Sequence, residues 1–79
     1  MISVEVHAIQ RAVSLEISID EKIMTGEMIE GIRRILDDET GGYLMSSEFG
    51  GLLNPDLSVE DQNICNGEIL IYISKIKQT

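Results

Sequence analysis

The hydropathy pattern changes its period once, and that change restricts the fold more than any other feature of the sequence. Apolar residues alternate with polar ones over residues 2–8 and again over residues 13–19, which is the two-residue period of half-buried strands. The few residues between these segments fit a hairpin turn. A helical period follows, with its apolar residues on one side. They are Met28, Ile29, Ile32, Ile35 and Leu36.

The helix is predicted near residues 25–38. Thr25 is a suitable N-cap, and the Gly41-Gly42 pair is expected to end the segment. Glu30 can reach Arg34 at the i,i+4 spacing of a helical ion pair. The chain therefore begins with two antiparallel strands followed by one amphipathic helix.

The second half of the chain supplies shorter elements. The segment "YLMS" is predicted as a third strand, "GLL" as a short edge segment, and "SVED" as one helical turn after the Asn54-Pro55-Asp56 turn. The Asn66-Gly67 turn then leads into "EILIYIS" as the last strand. A chain of 79 residues supports one core, so residues 1–79 are predicted to form a single domain of the α+β class.

The end of the chain resembles the ubiquitin-like β-grasp family. The resemblance lies in Leu57-Ser58, Asn63-Ile64, Gly67 and the final strand. It implies a mixed sheet of four to five strands packed on one helix, with the last strand between the first and the third. It further implies that Leu57 and Ile64 close the open end of the core. Three residues of the last strand are then expected to face the helix: Ile69, Ile71 and Ile73.

Within that family, the segment "LSVEDQNICNGEILIYI" is similar to the bacterial YukD/EsaB proteins of type VII secretion systems, in an L…I-x-x-G-x-x-L arrangement. The resemblance implies a non-catalytic, cytoplasmic accessory protein. It also implies a protein partner, with the cytoplasmic domain of a secretion-system membrane protein as the expected one.

Three residues are predicted to bind that partner: Leu44, Leu70 and Tyr72. If the alternate isoleucines of the last strand lie under the helix, Leu70 and Tyr72 emerge on the open face of the sheet. Leu44 is expected beside them, or Tyr43 and Met45 in the other register. Exposed apolar side chains among polar neighbours are typical of an interaction patch. The alternative is that these residues are apolar only because they belong to a central strand, and that they bind no partner.

Charge and cysteine content restrict the partners and the compartment. Fourteen acidic residues against six basic ones give a net charge of −8, which repels nucleic acid and anionic membrane surfaces. No apolar run is long enough to insert into a membrane. The single cysteine, Cys65, forms no internal disulfide, which favours a reducing cytoplasm.

No catalytic, cofactor or metal site is predicted. Cys65 would need a base beside it, and the only histidine, His7, is expected on the polar side of the first strand. The acidic run at residues 37–39 lacks the spaced ligands of a calcium loop. It is expected to be solvated, with contact to a basic partner as the alternative.

Two other functions remain as alternatives. Protein modifiers and sulfur carriers of the ubiquitin-like family act through a C-terminal Gly-Gly, whereas this sequence ends in "SKIKQT" and its glycine pairs are internal. Conjugation and sulfur transfer are therefore disfavoured. The second alternative is a regulatory adaptor of another pathway that uses the same surface.

Overall fold

The protein, described here from a computed structural model that covers residues 1–48 and 50–75, contains the elements that the hydropathy periods predict. Four strands and one α-helix follow in the order ββαββ, with 3₁₀ helices at Ile9–Arg11 and Glu60–Gln62. Their bounds are β1 Ile2–Ala8, β2 Val13–Ile19, α1 Thr25–Leu36, β3 Gly42–Ser46 and β4 Ile69–Ser74.

The four strands form one mixed sheet in the order β2-β1-β4-β3. β1 pairs with β4 in parallel, whereas β1 with β2 and β3 with β4 are antiparallel. The last strand thus lies between the first and the third, as the β-grasp resemblance implies. The sheet carries α1 on one face, and the opposite face has no helix over it in the described part of the chain. We call that second surface the open face.

The core lies between the sheet and α1. It takes alternate residues of β1, one side of the helix, and apolar residues of the loop before β4. Val6 and Leu44 are completely buried, and Ile32 of the helix is 1% exposed. Burying such side chains stabilises the fold by about 1.5–3 kcal/mol each. The loop contributes Leu53, Val59 and Ile64.

The prediction for the last strand was wrong about which side is buried. Leu70 and Tyr72 have no exposed surface, whereas Ile69 is 38% exposed. Their neighbours in the sheet explain the difference, because Val6 pairs with Leu70 and Ala8 with Tyr72. Paired residues point to the same face, and the β1 residues face the helix. Leu44 pairs with Tyr72 and is buried with it, so the three predicted contact residues belong to the core.

The ends of the helix also differ from the prediction. Thr25 is not the N-cap but a buried first-turn residue, whose hydroxyl accepts a hydrogen bond from Gln62 Nε2 at 2.7 Å. The helix ends at Leu36 because Asp37 adopts the left-handed conformation, with φ 55°. Its N–H then bonds to carbonyls of the last turn, so the glycine pair is not needed to stop the helix.

One further prediction for the end of the core was half right. Ile64 is buried, but Leu57 is 41% exposed. Leu53 and Val59, which lie on either side of Leu57 in sequence, fill the core instead. In the described part of the chain, no helix is long and apolar enough to cross a membrane.

Candidate protein-binding surface

The open face carries an apolar patch on its two strands farthest from β2. Met45 and Ile71 are directly opposite each other, as are Tyr43 and Ile73. Leu52 forms an isolated bridge with Met45 and extends the row beyond β3. We call this surface the open-face patch. Its members are Tyr43, Met45, Leu52, Ile69, Ile71 and Ile73.

Several side chains of the open-face patch are accessible to a partner. Leu52 is 58% exposed, Tyr43 46% and Ile69 38%. Lys75 Nζ lies 4.8 Å from the centre of the Tyr43 ring, which is within the range of a cation–π contact. Clustered apolar residues on a sheet face provide the buried centre that a protein interface requires.

Acidic residues border the open-face patch on the β1 and β2 side. Ile69 is in register with Glu5, and Glu5 with Glu16, so two carboxylates lie in one row beside the isoleucine. In the next row, Ile71 is beside His7. His7 Nε2 lies 3.4 Å from Glu5 Oε2 and makes no hydrogen bond among the described residues. The surface therefore combines an apolar centre with a negative rim.

The acidic run after the helix is not uniformly solvated, because Asp38 is only 2% exposed. Its carboxylate accepts hydrogen bonds from Ser74 Oγ at 2.6 Å and from the Tyr72 hydroxyl at 2.8 Å. Thr40 adds bonds from its hydroxyl and its N–H, and an Arg11 guanidinium nitrogen lies 3.6 Å away. The expected solvated loop is thus wrong for Asp38, which joins the end of the helix to β4 and to the hairpin.

The hydrogen bonds to Asp38 also set its charge. The bond from Ser74, followed by those from Tyr72 and Thr40, holds the pKa of Asp38 well below its ordinary value, although burial alone would raise it. Burial, together with the bond to Asp38, raises the pKa of the Tyr72 hydroxyl. Asp38 is therefore a carboxylate and Tyr72 a neutral donor near neutral pH, which suits a structural role.

Gly42 allows the Tyr72 ring to reach Asp38. A Cβ at position 42 would lie 2.6 Å from Tyr72 Cζ and 2.5 Å from the Ile73 carbonyl oxygen. A Cβ is essentially never found this close to another atom, so a side chain at position 42 would push apart the backbone of β3 and β4, and glycine is required there. The Gly41-Gly42 pair thus has a packing role as well as a turn role.

Cys65, which the sequence disfavours as a nucleophile, lies in the loop before β4. Cys65 is exposed, and its N–H donates to the buried carboxylate of Glu68, which also accepts from Ser46. Over residues 1–48 and 50–75, no group of three or more His, Cys, Asp or Glu side chains is placed to hold a metal ion. The open face carries apolar side chains, the carboxylates of Glu5 and Glu16, and the imidazole of His7.

Sequence reasoning identified the open face but assigned it the wrong residues of β4. Tyr43 and Met45 were considered for the other register of β3, and that register is the observed one. No local signal separates the two sides of β4. On the buried side, the Tyr72 hydroxyl needs an acceptor, and Asp38 in the loop after the helix supplies it.

Comparisons of the structure with solved proteins identify the fold. The N-terminal ubiquitin-like domain of the 4931431F19Rik protein superposes with a TM-score of 0.81 at 16% identity, covering 99% of this chain and 78% of that one. A computationally designed protein based on human erythrocytic ubiquitin gives 0.79 at 20% identity, covering 100% and 98%. Another design based on ubiquitin gives 0.78 at 15% identity, covering 98% and 92%.

These likenesses confirm the ubiquitin-like β-grasp fold, and at such identities they show the fold alone. No protein-family model matches the sequence, and no curated protein sequence matches it.

Proposed function

We propose that this protein is a non-catalytic ubiquitin-like binding module that docks onto protein partners through the open-face patch. The observation that carries the proposal is the cluster of exposed and half-buried apolar side chains on the open face of β3 and β4, bordered by Glu5 and Glu16. The apolar centre supplies affinity, and the carboxylates favour a partner with basic residues at the matching rim.

The partner that we propose is a cytoplasmic domain of a membrane protein in a bacterial type VII secretion system. The support is the similarity of residues 57–73 to the YukD/EsaB proteins. In this role the protein is a cytoplasmic accessory component. A regulatory adaptor of another pathway would use the same surface with a different partner, so the identity of the captured protein separates the two functions.

The test uses two matched lysine substitutions at apolar residues of nearly equal exposure. Ile69 is 38% exposed within the patch, and Leu57 is 41% exposed in the loop outside it. Ile69→Lys combined with Tyr43→Ser should abolish capture of the partner from a native lysate, because the lysine charge would have to be desolvated in the interface. Leu57→Lys adds the same charge elsewhere and should leave capture intact.

Thermal melts first establish that both variants are folded. Mass spectrometry of the captured proteins then identifies the partner, and equal capture by both variants would show that the patch is not the docking surface. The modifier alternative has its own readout. Incubation with lysate and ATP should leave the intact mass unchanged, whereas an adenylate, thiocarboxylate or isopeptide adduct would replace the binding-module proposal.

A further inference from the structure

The turn that leads into β4 contains a dipeptide with chemistry of its own. Residues 65–68 form a tight turn, which is closed by a hydrogen bond from Glu68 N–H to the Cys65 carbonyl at 3.1 Å. The two central residues are Asn66 and Gly67, and Gly67 has a φ of 84°, which favours glycine. Both are exposed to solvent. Because glycine has no side chain, its nitrogen can approach the amide of a preceding asparagine without hindrance.

The reaction open to this pair is an intramolecular substitution that needs only water. The Gly67 nitrogen loses its proton and forms a bond to the side-chain carbon Cγ of Asn66. The Cγ–Nδ2 bond breaks, and the amide nitrogen takes up a proton and leaves as ammonia. Water then opens the resulting cyclic imide. Attack at Cγ gives aspartate, and attack at the backbone carbonyl gives isoaspartate, in which the main chain runs through the side chain.

The sequence contains three asparagines, and the residue that follows each one sets its reactivity. Asn54 is followed by Pro55, whose ring nitrogen has no proton to lose. Asn63 is followed by Ile64, whose β-branched side chain hinders approach of its nitrogen. Asn54 and Asn63 are exposed like Asn66, so access to water does not separate the three. The following glycine therefore makes Asn66 the reactive asparagine.

In the folded protein, β1 holds both reacting groups. Gly67 N–H donates to the Ser3 carbonyl at 2.6 Å, and Ser3 N–H donates to Asn66 Oδ1 at 2.8 Å. The first bond retains the proton that the nitrogen must lose, and the second fixes the amide against β1. Ring closure has to move the nitrogen and the amide together. It therefore requires this pair of hydrogen bonds, which we call the Ser3 clamp, to open.

The Ser3 clamp lies where the sheet can open locally. It joins residues 63 positions apart in sequence, so it exists only when β1 is docked against the turn. The register of β1 with β4 begins at Glu5, and Ser3 lies beyond the paired part of those two strands. Hydrogen bonds near the ends of strands open at a lower free energy than those in the centre of a sheet.

Isoaspartate at position 66 would not fit the folded structure, because it adds one carbon to the main chain just before β4. The next residues are tightly held. The carbonyl of Glu68 accepts from Glu5 N–H at 3.0 Å, and its buried carboxylate accepts from Ser46 Oγ at 2.6 Å. A longer main chain displaces these groups, and β4 begins immediately afterwards at Ile69. Modified copies should therefore be less stable.

We propose that Asn66 is a deamidation site gated by the Ser3 clamp: it is protected while β1 is docked on the turn and reacts in copies whose first strand has come away. Because the ammonia is lost to solvent, the change is permanent. It marks such a copy with one added negative charge and, as isoaspartate, prevents the turn from docking again. This site does not involve the open-face patch.

The first test follows deamidation of the whole chain in its native state and in denaturing guanidinium chloride, at the same mildly alkaline pH. Peptide mass spectrometry measures the conversion of amide to carboxylate at each asparagine. Asn66 should react about tenfold faster or more in the denatured chain, because the two hydrogen bonds of the clamp no longer oppose ring closure. Asn54 and Asn63 are internal controls and should stay unmodified on the same timescale.

The second test opens the clamp within the folded protein. Ser3→Pro removes the N–H that binds Asn66 and should speed native-state deamidation several-fold. Ser18→Pro is the matched control, because Ser18 lies opposite Ser3 and directs its N–H away from β1. Ile32→Val lowers stability through the core without touching the clamp. Melting temperatures of all three variants separate opening of the clamp from a general loss of stability.

A third measurement needs no variant. Hydrogen exchange of the Gly67 amide reports opening of the clamp in the wild type, and mild denaturant should raise the exchange rate and the deamidation rate of Asn66 together. Anion exchange then separates the modified copies by their added charge, and the isoaspartate fraction should melt below the unmodified protein.

Three results would overturn the proposal. The first is an equal rate at Asn66 in the native and the denatured chain. The second is a deamidation rate that stays constant while Gly67 exchange rises, or that Ser3→Pro raises no more than an equally destabilising control does. The third is reaction at Asn54 or Asn63 as fast as at Asn66. Loss of partner capture by the open-face variants changes none of these readouts, so the two proposals fail independently.

Discussion

The two sides of β4 are made of similar residues but have opposite roles. On the helix side, Leu70 and Tyr72 are fully buried, and the Tyr72 hydroxyl is anchored by Asp38. On the other side, Ile69, Ile71 and Ile73 lie at or near the surface. Hydrophobicity alone does not distinguish the two sides, since the surface side is the one with three isoleucines. What distinguishes them is the register with β1 and the presence of a buried acceptor.

One strand thus supplies core residues on one side and an apolar surface on the other. Its buried side can be altered only at a cost in folding free energy, because close-packed side chains have little room to adjust. Its exposed side can carry an apolar surface that the fold does not need. Substitutions on the two sides of β4 should therefore have separable effects.

The largest expected effect is on the buried side. Leu70→Ala should lower the free energy of unfolding by about 2–5 kcal/mol, because it removes a fully buried side chain and leaves a cavity. Ile69→Ala, next to it but exposed, should cost about 1 kcal/mol or less. Urea denaturation of both variants measures the difference. Equal losses would mean that the two sides of β4 are not distinct.

A smaller effect is expected from removing one hydroxyl. Tyr72→Phe keeps the buried ring but takes one donor from the Asp38 carboxylate, so stability should fall by about 1–3 kcal/mol. The matched change Tyr43→Phe lies on the open face and should stay within about 0.5 kcal/mol of the wild type. Thermal melts of the two variants provide the comparison, and a neutral Tyr72→Phe would show that Asp38 does not depend on Tyr72.

The smallest expected effect is the pH dependence that Asp38 gives to the free energy of unfolding, measured over the pH range in which the protein stays folded. Its folded pKa is depressed, so the carboxylate contributes stability above the ordinary aspartate pKa of about 3.9. That contribution is lost as the pH falls from there toward the folded pKa. The wild type should therefore be more stable than Asp38→Asn near neutral pH, with a gap that narrows below pH about 4. A gap that is constant with pH would contradict the assignment.

Much of the fold could be predicted because the periods of β1, β2 and α1 are each compatible with one secondary structure. The sides of β4 could not, because residues 69–73 are apolar without interruption and either set of alternate residues could face the helix. Only the pairing of Val6 with Leu70 decides between them, and that contact is not local.

The candidate site was therefore assigned to the open face but built from residues that are buried under the helix. The burial of Asp38 was also unpredictable from its neighbours, since Asp37 and Glu39 in the same run are exposed. Beside the local donor Thr40, its carboxylate accepts from Tyr72 and Ser74 on β4 and is paired with Arg11 in the hairpin. The local composition predicts that the run is solvated. Only the tertiary contacts show that its central residue is buried.

The parallel pairing of β1 with β4 has a consequence for how the chain reaches its structure. The sheet and the core cannot be completed until β4 has been synthesised. That strand lies between β1 and β3 and provides Leu70 and Tyr72 to the core. Contacts so distant in sequence slow folding, since a long loop must close before they form. Until then, the apolar side of the β1–β2 hairpin is uncovered, and the nascent chain is exposed to aggregation and to chaperones. The central strand that carries part of the open-face patch is thus also the strand whose addition completes folding.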